Sequence, residues 1–394
     1  MDQNPSSGRL GSPGLCRDPQ SLIFDFRLKA RDIVPSKFGG PMKPQLAEVL
    51  VCPMCQVRLR LEVVAGQAKE IVAGSLRCLQ CGRQYPIRQG IPRFVTSDAY
   101  VSTFSFEWKR WRRTQFDTAS RQSSLAAFRV STGCEPADLA GKLVLDAGCG
   151  AGRYMDLAAR AGAQVVGVDL SLAVEVAYEN LGKLSNCHFV QADLLHLPFP
   201  TQAFDFIYSI GVLHHTPGTR ESFARLVPAL KPGGEIAIWV YPLRRLTEIF
   251  RYFPDRVNEV LANDVNFRIP PKWQGAVRWL APVLDWTMET SSSVQRSLTT
   301  RLPPQWLYWL CHLAIPLFYV YRIPLFYPLR LLTKIAMYPD AEWRVLDTFD
   351  WYSPRYQWKH TYLELQSWFA EAGLDGVQML PRPVAMRGRM RVGV

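Results

Sequence analysis

Between Lys142 and Tyr241 short apolar runs alternate with stretches whose apolar positions recur at helical spacing. Leu143–Ala147, Val165–Asp169, His188–Val190, Phe204–Ser209 and Glu235–Tyr241 read as strands; Gly152–Ala161, Leu172–Leu184 and Thr219–Leu230 read as helices. Short apolar strands alternating with helices predict the α/β class, here a parallel, doubly wound, Rossmann-like sheet over residues 142–241. The Lys231-Pro232-Gly233-Gly234 turn is expected to end the third helix and reverse the chain into the fifth strand. Upstream, short runs such as Leu59–Val64 and Glu70–Val72 predict hairpins within residues 46–95, and the aromatic and basic mixture of residues 96–141 predicts helices leading into the main domain. Downstream, residues 242–355 hold long apolar and aromatic helical stretches broken by prolines, the pattern of a helical insertion. Residues 356–394 then supply a helix, His360–Ala372, ending at Gly373, and two strands near Val377–Leu380 and Val384–Arg387. Residues 1–45 are rich in Pro, Gly and Ser without a sustained period and predict a mostly disordered tail.

A chain of 394 residues can bury one large core and a small one. Hydrophobic content of 48% with 20% charged residues is that of a globular protein. The 46 Lys+Arg against 34 Asp+Glu leave a charge of +12, which favours an anionic partner such as RNA, a phospholipid surface or an acidic metabolite. No basic region followed by an apolar one opens the chain, so a reducing cytoplasm is the expected setting. The most apolar stretch, Trp306–Tyr321, is interrupted by His312 and Pro316 and followed at once by Arg322. A spanning helix needs about 20 apolar residues, so a buried or interfacial helix is expected.

The densest chemistry is Asp146-Ala147-Gly148-Cys149-Gly150-Ala151-Gly152-Arg153, a buried strand running into a glycine loop that opens a helix. Glycines let a backbone turn tightly and approach a ligand without a Cβ clash. Asp169 ends the next strand, where a carboxylate can accept both ribose hydroxyls. Asp193 follows the third strand, placed to accept from an adenine amino group. Asp146, ahead of the glycines, suits a ligand carrying an ammonium and a sulfonium rather than a pyrophosphate. Strand-end aspartates also cap helices, but three acids phased with five strands favour the nucleoside ligand.

Residues 142–241 resemble the core of the class I S-adenosylmethionine (SAM)-dependent methyltransferases, in particular the ubiquinone/menaquinone C-methyltransferase-like branch. The resemblance rests on the Asp146–Gly152 loop, Asp169, Asp193, Phe204-Asp205-Phe206-Ile207, Val212-Leu213-His214-His215 and Leu230-Lys231-Pro232-Gly233-Gly234. It implies SAM as cofactor, with Asp146, Gly148 and Gly150 near the methionine moiety, Gly152 and Ile210 beside the ligand, Asp169 at the ribose and Asp193 at the adenine.

Ser209–His215 follows the fourth strand, at the mouth of the sheet where ligands of such folds bind. His214 and His215 are therefore candidate bases for an acceptor hydroxyl or phenol, against a reading in which the pair packs the following loop. Asp350, Tyr352 and His360 are further residues that can face the pocket. The Asp/Asn-Pro-Pro-aromatic tetrapeptide that holds an exocyclic base amine does not follow the fourth strand, and no Pro-Cys nucleophile stands there.

Cys52-Pro53-Met54-Cys55 and Cys78-Leu79-Gln80-Cys81 are two CxxC knuckles separated by 22 residues. Two such knuckles supply the four thiolates that tetrahedral zinc takes, with a hairpin between them. Together with Tyr85-Pro86-Ile87 and Gly90-Ile91-Pro92 they resemble the zinc ribbon of the small zinc-binding activator of tRNA and rRNA methyltransferases, which implies a structural Zn²⁺. Trp108-Lys109-Arg110-Trp111-Arg112-Arg113 suits either RNA binding or, the favoured reading, an amphipathic lid helix with its Arg heads outward. The aromatics of Trp306–Tyr327 beside Arg322 and Arg330 suit the core of a helical cap, or peripheral membrane contact through residues 306–330. The leading expectation is SAM-dependent O- or C-methylation of a small-molecule or lipid-linked acceptor. The alternatives are an RNA base methyltransferase, with ribbon and basic helix gripping rRNA or tRNA, and a SAM-binding regulator that docks a protein partner through its ribbon.

Overall fold

The computed structural model describes residues 42–67, 70–95, 101–243, 246–247, 250, 271–326, 329 and 333–392. The expected tail falls outside these except for residues 42–45, and so do Cys16, Tyr327 and Arg330. Residues 42–45 are not part of a tail: Met42 pairs with Ile71, and Pro44–Glu48 forms a short helix, α1.

The cysteine region is a four-stranded antiparallel sheet, ordered β1 (Leu59–Gln67), β2 (Glu70–Cys78), β3 (Gln84–Arg88), β4 (Ile91–Pro92). Helices α2 (Ser102–Arg110) and α3 (Ser123–Thr132) lead into the main domain. There β5 (Leu143–Ala147), α4 (Arg153–Arg160), β6 (Gln164–Asp169), α5 (Ala173–Leu181), β7 (Cys187–Gln191), β8 (Phe204–Ile210), α6 (Thr219–Leu226) and β9 (Leu230–Trp239) alternate as the periodicity predicts. The insertion contributes α7 (Pro271–Thr299), α8 (Pro304–Cys311), α9 (Ala314–Val320) and α10 (Ala341–Tyr352). The chain closes with α11 (Tyr362–Glu371), β10 (Leu374–Met379) and β11 (Ala385–Met390).

The main sheet has seven strands in the order β10-β11-β9-β8-β5-β6-β7. Strands β5 to β9 are parallel, and their near-continuous apolar runs suit burial on both faces. The sheet is not wholly parallel, because β11 runs antiparallel to both β9 and β10. Succession turns outward in both directions from β5, so the carboxyl ends of β5 and β8 flank a switch-point crevice.

Two sequence expectations shift. Lys231–Gly234 does not turn the chain; it lies inside β9, where pairing with β8 slips register between Phe204 and Phe206. A Cβ on Gly234 would sit 2.9 Å from the Lys231 carbonyl and 3.0 Å from that of Phe204, so the bulge needs glycine. The aromatic stripe of residues 306–326 is not simply a cap core and is not one helix. It folds as α8 and α9, burying Leu307, Cys311, Ala314, Phe318 and Tyr321 while Trp306, Trp309 and Tyr319 stay exposed.

The ribbon docks on the free edge of the main sheet. Arg93 bridges in parallel to Gln191 at the end of β7, and the Phe94 N–H donates to the Gln191 carbonyl at 2.8 Å. The buried Arg93 guanidinium donates to Gln191 Oε1 (2.9 Å) and pairs with Glu175 (3.0 Å). Lys43 Nζ donates to the carbonyls of Leu184 and Cys187. Leu46, Leu50 and Ile87 share one apolar cluster with Val190 and Leu194, so ribbon and domain are packed as a continuous interior. Covering β7 in this way removes an edge that would otherwise present unpaired backbone groups.

Candidate functional site

The carboxyl ends of β5, β6 and β8, the loop after β7, and helices α2, α7 and α10 surround a cavity of about 590 Å³. One end is the glycine loop. Gly148 (φ +91°) and Gly150 (φ +53°) hold left-handed backbone that side chains rarely adopt. A Cβ on Gly148 would come within 2.3 Å of Val212, so the loop tolerates nothing larger there. Gly148 and Gly150 line the cavity; Gly152 caps the start of α4 beside Leu181 and does not.

Asp169 and Asp193 both face this end. Asp169 Oδ2 accepts from the Gly150 N–H at 2.9 Å, and Oδ1 accepts from the Ser171 N–H and hydroxyl at 2.8 and 2.7 Å. Burial raises its pKa, opposed by these donors. Asp193 Oδ1 accepts from the Leu195 N–H at 3.0 Å. Leu170, Leu194 and Ile210 add apolar walls. Asp146 stands beneath the loop rather than in the cavity: it is buried, burial pushes its carboxyl up to about 8, and the neighbouring Tyr208 phenol opposes the rise. A bare loop, two strand-end acids and an apolar slot fit a nucleoside-bearing sulfonium ligand, with the loop and Asp169 already fastened to each other.

The structure separates the histidine pair. His214 is fully buried, stacks on Tyr241 at 3.8 Å between ring centroids and accepts the Tyr241 N–H on Nδ1; it does not line the cavity. His215 does. Its Nδ1 lies 2.9 Å from the Tyr356 carbonyl, which makes that nitrogen the donor and leaves Nε2 a free acceptor without a hydrogen-bond partner among the described residues. Burial lowers the pKa of both, keeping the imidazoles neutral. Asp350 and Tyr352 line the cavity; His360 instead sits 3.0 Å from the Thr219 hydroxyl, away from it.

The far end holds acids that no motif announces. Tyr241 donates to Asp350 at 2.7 Å, Gln115 donates to Asp347 at 3.1 Å, and Glu107 lies buried with Oε2 unpartnered among the described residues. Arg153 also reaches this wall and partly offsets the charge. Burial, then the neighbouring Asp350, pushes Asp347 up to about 7 and, with Asp347, raises Glu107. Their signal in the sequence is weak but present: Glu107 sits three residues after Phe104 and four before Trp111 on the apolar face of α2. A carboxyl whose folded pKa exceeds its unfolded value of about 4 binds more protons folded than unfolded in the interval, so stability falls as pH rises through it. Glu107 acts in the same direction. The buried histidines, whose pKa values are lowered, act with the opposite sign, so the Asp347 contribution is read as a difference: Asp347→Asn, which keeps the acceptor for Gln115, is expected to lose less Tm than the wild type, or gain more, between pH 5 and pH 8 in scanning calorimetry. Parallel slopes for the two proteins would refute the assignment.

The basic run is helical only through Arg110, and Trp111–Arg113 follow the end of α2. Trp108 closes over Gly150, Trp111 is buried against Phe349, Arg112 pairs with Glu179, and Arg110 lies against the Tyr308 ring. The Trp111 indole is buried, whereas Trp108 lines the cavity.

The four cysteines meet as the spacing predicts. Their sulfur atoms lie within 4.8 Å of one another, with Cys52 and Cys81 at 3.8 Å. Zn–S bonds of about 2.3 Å in a tetrahedron set sulfurs about 3.8 Å apart, so the donor set fits zinc.

Residues 145–238 match the family described as a methyltransferase domain, and residues 43–90 match the family described as Trm112p-like protein. A stretch matching a methyltransferase domain thus stands behind one matching a Trm112p-like protein. It is 33% identical over 105 residues to a tRNA U34 carboxymethyltransferase of Desulfotalea psychrophila, covering 26% of this chain and 33% of that protein. It is 36% identical over 115 residues to the mouse (Mus musculus) protein named probable tRNA methyltransferase 9B, covering 28% and 24%. It is 36% identical over 104 residues to the methyltransferase GfsG of Streptomyces halstedii, covering 25% and 37%. The aligned stretches therefore span between 24% and 37% of these relatives, and nothing in them singles out the ubiquinone/menaquinone branch.

Proposed function

We propose that this chain transfers the methyl group of SAM to an acceptor received beneath α2, α7 and α10. The observation that carries the reading is that one cavity joins the glycine loop, Asp169 and Asp193 to Tyr241, His215, Asp347 and Asp350. Asp169 takes the ribose hydroxyls, Asp193 the adenine amino group, and the Gly148–Gly150 backbone the methionine end. Bound SAM supplies a methyl group already activated by its positive sulfur. The protein's part is then to align the acceptor, exclude water and receive a proton. His215, neutral and lining the cavity, is the candidate proton acceptor through its unpartnered Nε2, and His214 positions Tyr241 beside it. Cys52, Cys55, Cys78 and Cys81 hold a structural zinc.

For the acceptor, a cavity that continues from the glycine loop to the hydrogen-bonding carboxyls of Glu107, Asp347 and Asp350 suits a small or lipid-linked molecule. A second reading, a tRNA or rRNA acceptor, is favoured by the names of the relatives and by the Trm112p-like ribbon; the comparisons lean that way. Labelled SAM incubated with fractionated extract tests both. Label in the lipid or small-molecule pool supports the first reading, label in RNA the second, and absence of transfer from folded, SAM-binding protein overturns the proposal.

A further inference from the structure

The insertion helices present two chemically opposite faces. On α7, Asp285, Met288, Ser292 and Gln295 recur at steps of three and four and line the cavity. The Asp285 carboxylate is spent on the Leu246 and Thr247 N–H groups and the Thr247 hydroxyl. The opposite row, Trp279, Val283 and Trp286, with Val294 and Leu298 two turns on, is exposed, Trp279 at 81% and Trp286 at 68%. Helix α8 repeats the arrangement: Leu307 and Cys311 are buried, whereas Trp306 and Trp309 are 69% and 66% exposed, with Leu310 and Leu313 beside them. Tyr319, Ile323 and Leu325 continue the exposed apolar surface past α9.

Charge is sorted in the same way. Among the described residues of 271–326 the exposed charged side chains are Lys272, Arg278, Arg301 and Arg322, all basic. The two acids, Asp285 and Glu289, turn to the cavity. Soluble surfaces scatter single apolar residues, but indoles gathered with arginines and without acids match the chemistry of a membrane–water boundary. No described helix is long and apolar enough to cross a membrane, which leaves contact along the surface.

We propose that the outer face of α7, α8 and the segment through Leu325 docks on an anionic phospholipid bilayer. The indoles enter the headgroup layer, and Lys272, Arg278, Arg301 and Arg322 meet lipid phosphates. The inner face of the docked α7 is a wall of the acceptor cavity, so the surface holds that cavity against the bilayer. This last step rests on the lipid-linked acceptor reading; the docking does not.

The test is co-sedimentation of the full chain with phosphatidylcholine vesicles, with and without phosphatidylglycerol, in the absence of SAM. Binding to the mixed vesicles, weaker binding to phosphatidylcholine alone and a blue shift of tryptophan emission are expected. The pair Trp279→Ser and Trp286→Ser, and separately Trp306→Ser and Trp309→Ser, are each expected to lower partitioning about tenfold or more. These side chains are exposed, so Tm should stay at the wild-type value, and SAM affinity by calorimetry should be unchanged. Arg278→Ser with Arg322→Ser is expected to remove the preference for phosphatidylglycerol. Failure to bind either vesicle overturns docking, as does equal partitioning of the tryptophan variants. So does a stable dimer in ultracentrifugation that the same substitutions dissociate, since a second copy would then cover the face. RNA binding that is steep in salt and lost with the same tryptophans also overturns it. Because no cofactor is present, docking can fail while SAM binding stands, and the reverse.

Discussion

Asp169→Ala is expected to weaken binding of SAM and of S-adenosylhomocysteine by two to three orders of magnitude. The carboxylate has two tasks. Its oxygens fasten the glycine loop to the end of β6 through Gly150 and Ser171, and the same group faces the cavity where a ribose would present its hydroxyls. Hydrogen bonds to a charged acceptor contribute about 1.5–3 kcal/mol each, and two lost together correspond to roughly a hundredfold to ten-thousandfold in affinity, of which the lower half is expected because water replaces part of the contact. Asp169→Asn keeps an acceptor for Gly150 but places a donor where one hydroxyl proton must go, so an intermediate loss is expected. Titration calorimetry on variants whose Tm matches the wild type separates ligand contact from loop damage. Affinity within threefold of wild type for Asp169→Ala would remove the ribose assignment.

The part of this site that was legible in the sequence is the part that backbone geometry forces. A loop that must turn sharply needs glycine at Gly148 and Gly150, and acids at Asp169 and Asp193 are tied by strand length to the same sheet edge, so spacing alone brings them together. The cysteine knuckles are legible for the same reason. What periodicity could not convey was contact between distant elements. Glu107 on α2 and Asp347 on α10 come within electrostatic reach where the end of α2 packs on α10, Trp111 lying against Phe349 across more than two hundred residues. The register slip in β9 was also hidden, since a Pro-Gly-Gly run reads as a turn unless the neighbouring strand is known to bridge it. The aromatic stripe hid its own division: the sequence shows which residues are apolar, and only tertiary packing decides that Leu307 goes inward and Trp306 outward.

The ribbon's place on the sheet edge makes a zinc ion held by its four cysteines consequential for SAM binding. Arg93 donates to Gln191 Oε1, and the amide of that same side chain donates to the Leu170 carbonyl at 2.9 Å, one residue beyond Asp169. A rigid ribbon thus braces the end of β6 through two hydrogen bonds. Four-thiolate zinc sites in small domains contribute roughly 10 kcal/mol or more to folding, so a ribbon without its ion is expected to unfold. Unfolding would bare β7, leave Glu175 without its buried partner Arg93 and release Gln191. The wild type is expected to hold about one zinc per chain by elemental analysis, and Cys78→Ser to abolish that retention. The substitution is also expected to lower Tm by about 10 °C or more, and to weaken SAM binding about tenfold while leaving Asp169 and the glycine loop chemically intact. Arg93→Ala isolates the brace: the ribbon keeps its zinc, yet SAM affinity is expected to fall nearly as far. A metal-free chain with wild-type Tm and affinity would show that the ribbon neither needs the ion nor supports the site. Loss of zinc without loss of affinity would separate the two claims and leave only the structural one.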